Sequence, residues 1–545
     1  MYQSDHGRRV RLHRALATVM LLLMAVVPAS STTIVDHRVS EPVASPDLRL
    51  DEGNLLLTLD EAISLTLERN LSLVVQRFVR EESELSLWGT KGIYDPNIGV
   101  DAGAFSETSP TASNLEAGGG QTVQEQEGER WNFSLGKLFS SGGQGSINWN
   151  NSRFESNSIF STLNPSYRVD FDLSFNQPLM RGFGRVATDH QIRIARTNVD
   201  ISQENFELRI TETLQEVENA YWSLAEAQWQ LIVAQESLVL AKQLHEQNRI
   251  RVDVGTLAPL EMVQSEAGVA TRDEQIIRAR AAVGDGEDLL RQLLNLESGS
   301  LWEAPIVLET EADIDPVAID LAEGIRSALT KRPELRSKRL GQDILDYNVQ
   351  YSLNQEKPRV DLAVVYGLNG LGGDITERDF FTGDILFEAS GSYSDALDQI
   401  TDGNFDGWSL GVNMAYPIGN RSAKATRALA EVNFERGAAE LQDLELAVAT
   451  EVRRVARVVE ASAQARKSAR ISRVLEEKNL DAEQKRYQNG MSTSFQVLQI
   501  QEDLSEAQSR EVTSVAVYRR SLVQYYRSIG QLPTERGVEF APSGE

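Results

Sequence analysis

The sequence predicts a mostly helical, duplicated protein in which long helical hairpins are combined with β-strands of membrane type. Two observations predict this fold class. Landmarks of residues 58–297 recur in the same order in residues 320–532, and in each copy the hydrophobic period changes from helical to two and back to helical. The matched landmarks are Glu61/Glu323, Pro96/Pro358, Pro178/Pro417 and Gly255/Gly490, with offsets of 262, 262, 239 and 235.

Each copy begins with the spacing of a helix capping box. Thr58 precedes Glu61 by three residues, as Asp320 precedes Glu323. We expect each box to open one helix of about 30 residues that ends before the matched proline, because proline ends helices and is tolerated at strand starts.

Strands are predicted where apolar and polar residues alternate, within 97–177 of the first copy and 359–416 of the second. Runs of about 9–10 residues with one apolar face suit a transmembrane barrel, although a soluble sandwich has the same alternation. Acids on the polar face would make a lumen favour cations. The acids predicted to face the lumen are Asp101, Asp170, Asp172 and Asp361.

The number of strands implies assembly of several copies. Four strands are predicted, or six if the hairpin 131–154 extends the barrel rather than projecting beyond it. About eight strands form the smallest barrels, and an open sheet edge is not tolerated in lipid. We therefore expect other copies to complete the barrel, and three copies would supply 12 or 18 strands.

Long helical hairpins are predicted at 186–297 and 420–530. No Pro or Gly interrupts 186–254, which at 1.5 Å per residue gives a helix of about 100 Å. A seam recurs every seven residues and alternates large and small side chains, as in a coiled coil. Its members are Val217, Leu224, Leu231 and Leu238, with Ala220, Ala227, Ala234 and Ala241 three positions later.

Three remaining segments are predicted to lie outside the folded copies. Residues 1–31 combine four Arg, an apolar run and small residues, as in a secretory signal peptide, and the run of 13 is too short for a membrane anchor. We expect 32–57 to be flexible, 298–319 to be a linker and 533–545 to be a disordered tail.

Composition excludes several classes of function. The chain has no Cys, so disulfides, thiol catalysis and lipidation of an N-terminal Cys are excluded. Its net charge of −26 disfavours nucleic acid as a partner. No phosphate-binding loop, nucleophile motif or metal-ligand spacing is present, so the sequence predicts neither an enzyme nor a cofactor or metal site.

The order of elements, together with Arg486, Tyr487, Gly490, Val497 and Leu498, resembles the TolC-like outer membrane efflux protein family across residues 58–532. The resemblance implies a homotrimer in the outer membrane of a Gram-negative-type envelope that extends into the periplasm. It further implies a passive exit duct of a tripartite efflux or type I secretion system. The partners would be outer-membrane lipid, a periplasmic adaptor (membrane fusion) protein and an inner-membrane pump or secretion ATPase. A periplasmic adaptor or scaffold with coiled-coil hairpins is the alternative.

The helix tips would then carry the functional residues. Family members narrow the pore with Asp rings after the second tip, where this chain has Gln496 and Gln499, while Glu261 could supply an acidic ring or be a solvated side chain. The residues expected to dock the adaptor are Gly255, Thr256, Leu257, Gly490, Met491 and Ser492.

Overall fold

The computed structural model describes residues 49–51, 53–112, 122–296, 299–310, 316–378 and 384–538. The predicted signal peptide, 1–31, lies outside these residues. The elements of the first repeat and its flanks are β1 (Arg49–Asp51), β2 (Asn54–Leu57), α1 (Leu59–Arg69), α2 (Leu71–Lys91), β3 (Asn97–Pro110), β4 (Val123–Leu138), β5 (Gln144–Ser156), β6 (Leu163–Pro178), α3 (Arg185–Thr188), α4 (His190–Asp253), α5 (Pro259–Leu294), α6 (Ser300–Glu303) and β7 (Ile306–Leu308).

The second repeat has the same plan with fewer long strands. Its elements are α7 (Leu321–Lys331), α8 (Pro333–Glu356), β8 (Arg359–Arg378), β9 (Ile385–Ala389), α9 (Tyr393–Asp402), β10 (Asp406–Ala415), α10 (Arg421–Gln488), α11 (Ser494–Ser528) and α12 (Leu532–Glu535). The mostly helical, duplicated fold with one large sheet is therefore the predicted one.

The opening helix of each repeat is broken in two, unlike the single helix predicted. Glu61 and Thr58 exchange the hydrogen bonds of the capping box at the start of α1. The break follows at Asn70, whose side chain caps α2 and also donates to the carbonyl of Leu293 at 2.9 Å. In the second repeat Pro333 is the first residue of α8, where its missing N–H costs nothing.

The segments that flank the repeats are more ordered than predicted. Strand β2, within the expected flexible segment 32–57, pairs with β1 and lies parallel to β7 of the expected linker 298–319. The predicted tail 533–545 begins inside α12, where Leu532 and Pro533 are buried. Strands of three or four residues are too short to show a period, and their partners are distant in sequence, so the pattern does not reveal them.

The long strands form one antiparallel sheet in the order β10-β8-β6-β5-β4-β3, with β9 on the end of β8. The hairpin β4–β5, predicted as 131–154, thus lies within the sheet. The strands have 10 to 20 residues rather than about 9–10. Directly paired residues form an apolar row across all six strands: Ile98, Leu135, Ile147, Leu173, Tyr366 and Trp408.

Short helix α9 lies against the same face of the sheet as the apolar row, but nearer the strand ends that are far from the long helices. The ring of Tyr393 lies 5.5 Å from that of Trp131, and its hydroxyl donates to Asn151 at 2.7 Å. On β8 a Cβ at Gly370 would collide with the carbonyl of Ala396, so glycine allows the close approach. This helix lies within residues 370–406, a segment whose sequence contains nine Asp and Glu residues and one Arg.

In the described chain the helices form two large cores, one centred on each repeat, and two smaller apolar clusters along the hairpins. The first joins α1, α4, α5 and the small sheet around Leu214, Tyr221 and Leu290. The second joins α7, α8, α10 and α11 around Val452 and Tyr518. Helix α4 packs against both α5 and α11, so the two hairpins lie side by side along their length.

Candidate functional site: helix tips and strand faces

Both hairpin tips turn at a glycine with a left-handed backbone. The φ angle is 74° at Gly255 and 73° at Gly490, a region that side chains with a Cβ rarely adopt. In each turn the next amide donates to the carbonyl five residues earlier. These bonds are Thr256 to Arg251 and Met491 to Arg486, both 2.9 Å. The two tips are therefore the same structural device, which satisfies the last carbonyls of α4 and α10.

Side chains join the first tip to the second. The Arg251 guanidinium carbon lies 4.5 Å from the centroid of the Tyr487 ring, and its Nη1 donates to the Tyr487 carbonyl at 3.4 Å. The Tyr487 hydroxyl donates to Oδ1 of the fully buried Asn248. Burial raises the pKa of Tyr487 above its ordinary value, so the phenol keeps the proton that it donates.

The three predicted aperture residues lie in different surroundings. Glu261 is half-buried, and its carboxylate accepts a hydrogen bond from Ser494 at the start of α11. It therefore links the hairpins. Gln496 is exposed, while the exposed Gln499 donates to Oδ1 of Asp503 at 3.1 Å.

Asp503 is a candidate aperture residue that sequence reasoning missed. It follows Gln496 by seven residues and Gln499 by four, so all three share one helix face. Neighbouring acids are neutralised: Glu502 contacts Arg272 and Glu506 contacts Arg510, both at 3.2 Å. Among the described residues, Asp503 has no cationic side chain within 4 Å. The heptad spacing from Gln496 was the signal available in the sequence.

The predicted docking residues lie beside exposed apolar residues in the sequence of each tip. Gly255, Thr256, Gly490 and Met491 are exposed, whereas Leu257 and Ser492 are half-buried. Each tip also exposes large apolar side chains that the prediction mostly omitted: Val254 (68%), Leu260 (64%), Met491 (64%) and Phe495 (62%). Apolar side chains grouped at the end of a molecule are typical of a contact surface.

The four predicted lumen acids share the polar face of the sheet, but three of them contact an arginine. The ion pairs are Asp101 with Arg130 at 3.1 Å, Asp170 with Arg168 at 2.9 Å and Asp361 with Arg359 at 2.6 Å. Asp172 lies opposite Asn148 and Gly367 in the ladder. Arg168 and Arg359 lie on the same strands as their acids and Arg130 lies on the strand next to that of Asp101. These arginines reduce the negative charge of this face.

Among the helices that the structure describes, none is both long and apolar enough to cross a membrane. Within the described ranges, no three His, Cys, Asp or Glu side chains come close enough together to hold a metal ion.

A sheet with an apolar row across every long strand, attached to paired helical hairpins about 100 Å long, defines a channel-type protein of a bacterial envelope. The family model of the outer membrane efflux protein matches residues 142–296 and 324–531. The chain belongs to this family, and its location is the outer membrane with a periplasmic extension. The two matched segments correspond to the two repeats.

Solved structures with this fold are similar over most of their length. The CmeC outer membrane channel of Campylobacter jejuni is 15% identical, with a TM-score of 0.61 and coverage of 87% of this chain and 86% of that one. VceC of Vibrio cholerae is 14% identical, with a TM-score of 0.59 and coverage of 87% and 96%. The open-state MtrE channel of Neisseria gonorrhoeae is 15% identical, with a TM-score of 0.58 and coverage of 87% and 89%. No curated protein sequence matches the chain.

Proposed function

We propose that this outer membrane efflux family protein is a passive exit duct, formed by three copies, that receives its cargo from an inner-membrane pump or secretion ATPase through a periplasmic adaptor. The observation that carries the proposal is the apolar row across all six long strands, in a sheet that does not close within the described chain. Such a sheet requires further copies before it can lie in lipid.

The tips support the docking part of the proposal. They lie at the ends of α4 and α10, opposite the ends that lead from the sheet, and expose Val254, Leu260, Met491 and Phe495. Apolar side chains at the far end of a long helical assembly would be covered by a partner of matching shape. An adaptor with helical hairpins of its own could present an apolar helix face to these side chains.

Single-channel conductance in a planar bilayer tests the proposal, with the native mass of the detergent-purified protein measured alongside. We expect small steps of current from a species of three protomers, because the tips narrow the duct. A monomer that neither conducts nor inserts would overturn it and favour a periplasmic scaffold.

A substitution at the second tip tests the aperture. Gln496→Asp should increase the block of current by divalent cations, because three symmetry-related carboxylates would face one another across the pore. Gln488→Asp, on an exposed residue before the turn, is the control. Equal block in the two variants would remove Gln496 from the aperture.

A further inference from the structure

The large sheet leaves its two outermost strands, β3 and β10, without a partner along their outer edges among the described residues. These strands also carry the most exposed apolar side chains of the sheet, with Val100 at 78% and Trp408 at 74%. Because six strands alternate in direction, β10 of one copy meets β3 of the next in the antiparallel sense.

The two edges are offset along the strand direction. The apolar row passes through Ile98 on β3 and Trp408 on β10. Twelve residues of β3 lie beyond the row on the side far from the helices, but only two of β10 do. A straight continuation of the row would set Trp408 beside Ile98 and pair only residues 406–409 with 97–100. The remaining residues of β10 would face Pro96 and the turn before it.

A displacement of six residues pairs the whole of β10. It sets Asp406 opposite Ser106 and Ala415 opposite Asn97, and the apolar faces stay together because the displacement is even. Over three copies the displacement sums to about 18 residues around a barrel of 18 strands. With about 3.3 Å per residue along a strand and about 4.8 Å between neighbouring strands, the strands tilt by about 35° from the barrel axis. Barrels have tilts of about 35–45°.

Glycines favour this register. On β10, Gly407 and Gly411 have no atom of the chain within 4 Å of an added Cβ, and their φ angles do not require glycine. In this register five pairs lie on the polar face; one of them is Ala415 with Asn97, and each of the other four contains a glycine. These pairs are Gly407 with Phe105, Ser409 with Gly103, Gly411 with Asp101 and Asn413 with Gly99. A displacement of eight would instead set Gly411 opposite Gly103 and leave space unfilled.

We infer that β10 of one copy and β3 of the next form an antiparallel ladder from Asp406–Ser106 to Ala415–Asn97, which closes a barrel of 18 strands. The inference rests on the proposed three-copy duct and specifies its contact surface. A barrel of this size leaves a wide aqueous channel. The narrow part of the duct then lies at the helix tips.

Disulfide trapping tests the register, since the chain has no native Cys. Leu410→Cys combined with Ala102→Cys places two thiols directly opposite, at a Cα separation of about 5 Å that allows a disulfide. Leu410→Cys with Ala104→Cys is the matched control, because the diagonal separation of about 7–8 Å does not. A third variant, Leu410→Cys with Val364→Cys, joins paired residues within one chain and reports that thiols in this region oxidise.

With the Ala102 variant we expect covalent dimers and trimers in denaturing gels after oxidation of membranes, and with the Ala104 variant almost none. Covalent dimers and trimers from the Ala104 variant, with none from the Ala102 variant, would overturn the proposed register. Neither variant forming covalent dimers or trimers, while the Val364 control oxidises and the protein remains a conducting trimer, would overturn the β10–β3 pairing. The proposed function would stand in that case. A non-conducting monomer would overturn both.

Discussion

The two helix tips have the same backbone but use equivalent side chains differently. Gly255 and Gly490 adopt the same turn, and the positions six residues later are Glu261 and Gln496. Glu261 accepts a hydrogen bond from Ser494 of the other hairpin, whereas Gln496 is exposed. The turn is kept because backbone geometry demands it. The position six residues after the glycine contacts the other hairpin in the first repeat and is exposed in the second.

A second equivalent pair shows the same divergence. Asn248 and Glu483 are both buried and differ by the tip offset of 235. Asn248 binds the Tyr487 hydroxyl of the other hairpin, while Glu483 accepts hydrogen bonds from Arg486 and Ser492 within its own tip. At this equivalent pair the first-repeat residue contacts the other hairpin, whereas the second-repeat residue stabilises its own turn.

The largest expected effect concerns an ion pair that only the first repeat has. Glu218 on α4 is fully buried and accepts two hydrogen bonds from Arg536, at 2.8 and 2.6 Å. The second-repeat positions at offsets of 235 and 239 are the exposed Arg453 and Arg457. Arg536→Ala should destabilise the protein by about 3–5 kcal/mol, because it leaves a buried charge without a partner. The thermal unfolding midpoint in detergent measures the loss.

The pH dependence of that variant identifies the cause. Burial raises the pKa of the Glu218 carboxyl above its ordinary 4.5, and Arg536 opposes the shift. Without Arg536 the folded protein should hold a proton that the unfolded chain releases, so stability should be greatest below pH 4.5 and fall as pH rises. Adding Glu218→Gln should remove this slope. A loss independent of pH would mean that packing, not charge, is responsible.

The hairpin β4–β5 exists only in the first repeat, and a lysine scan tests which of its faces contacts lipid. Ile147→Lys should cost about 2–4 kcal/mol if Ile147 lies near the middle of the membrane. Asn148→Lys, one residue further on the opposite face, should cost far less. Assembly is measured as the fraction of folded protein that resists denaturation in unheated gels. Equal losses would contradict the assignment of the apolar row to lipid.

The equivalence of the two turns is tested by Gly255→Ala and Gly490→Ala. An added Cβ meets no neighbour within 4 Å at either site, so the cost should be that of the left-handed backbone, about 1–2 kcal/mol in both. Hydrogen exchange of the tip amides measures it. Gly284→Ala, in the middle of α5, should instead increase stability, because alanine has a higher helix propensity than glycine. Unequal costs at the two tips would disprove their structural equivalence.

The smallest expected effect separates the roles of Glu261 and Gln496. Glu261→Gln keeps a hydrogen-bond acceptor for Ser494 and removes only its charge, so exchange protection at the start of α11 should fall by less than about 1 kcal/mol. Block of the channel by divalent cations should not change. A clear loss of block would show that Glu261 faces the pore despite its contact with Ser494.

Sequence patterns predicted a large part of this fold. The duplication, the capping box at Thr58, the tip glycines and the two faces of the strands follow from short-range rules about backbone geometry and burial. The predicted six-strand alternative and the long uninterrupted helix α4 were read from periods that require no knowledge of distant partners.

Only the tertiary structure decided how distant segments meet. Asn70, at the break between α1 and α2, donates to the carbonyl of Leu293, the small sheet joins β2 to β7, and Arg536 contacts Glu218 across more than 300 residues. The same holds for Glu261 and Ser494, whose spacing carries no periodic signal. Sequence patterns report which face of an element is buried, whereas the partner that covers a polar side chain is chosen by packing between elements.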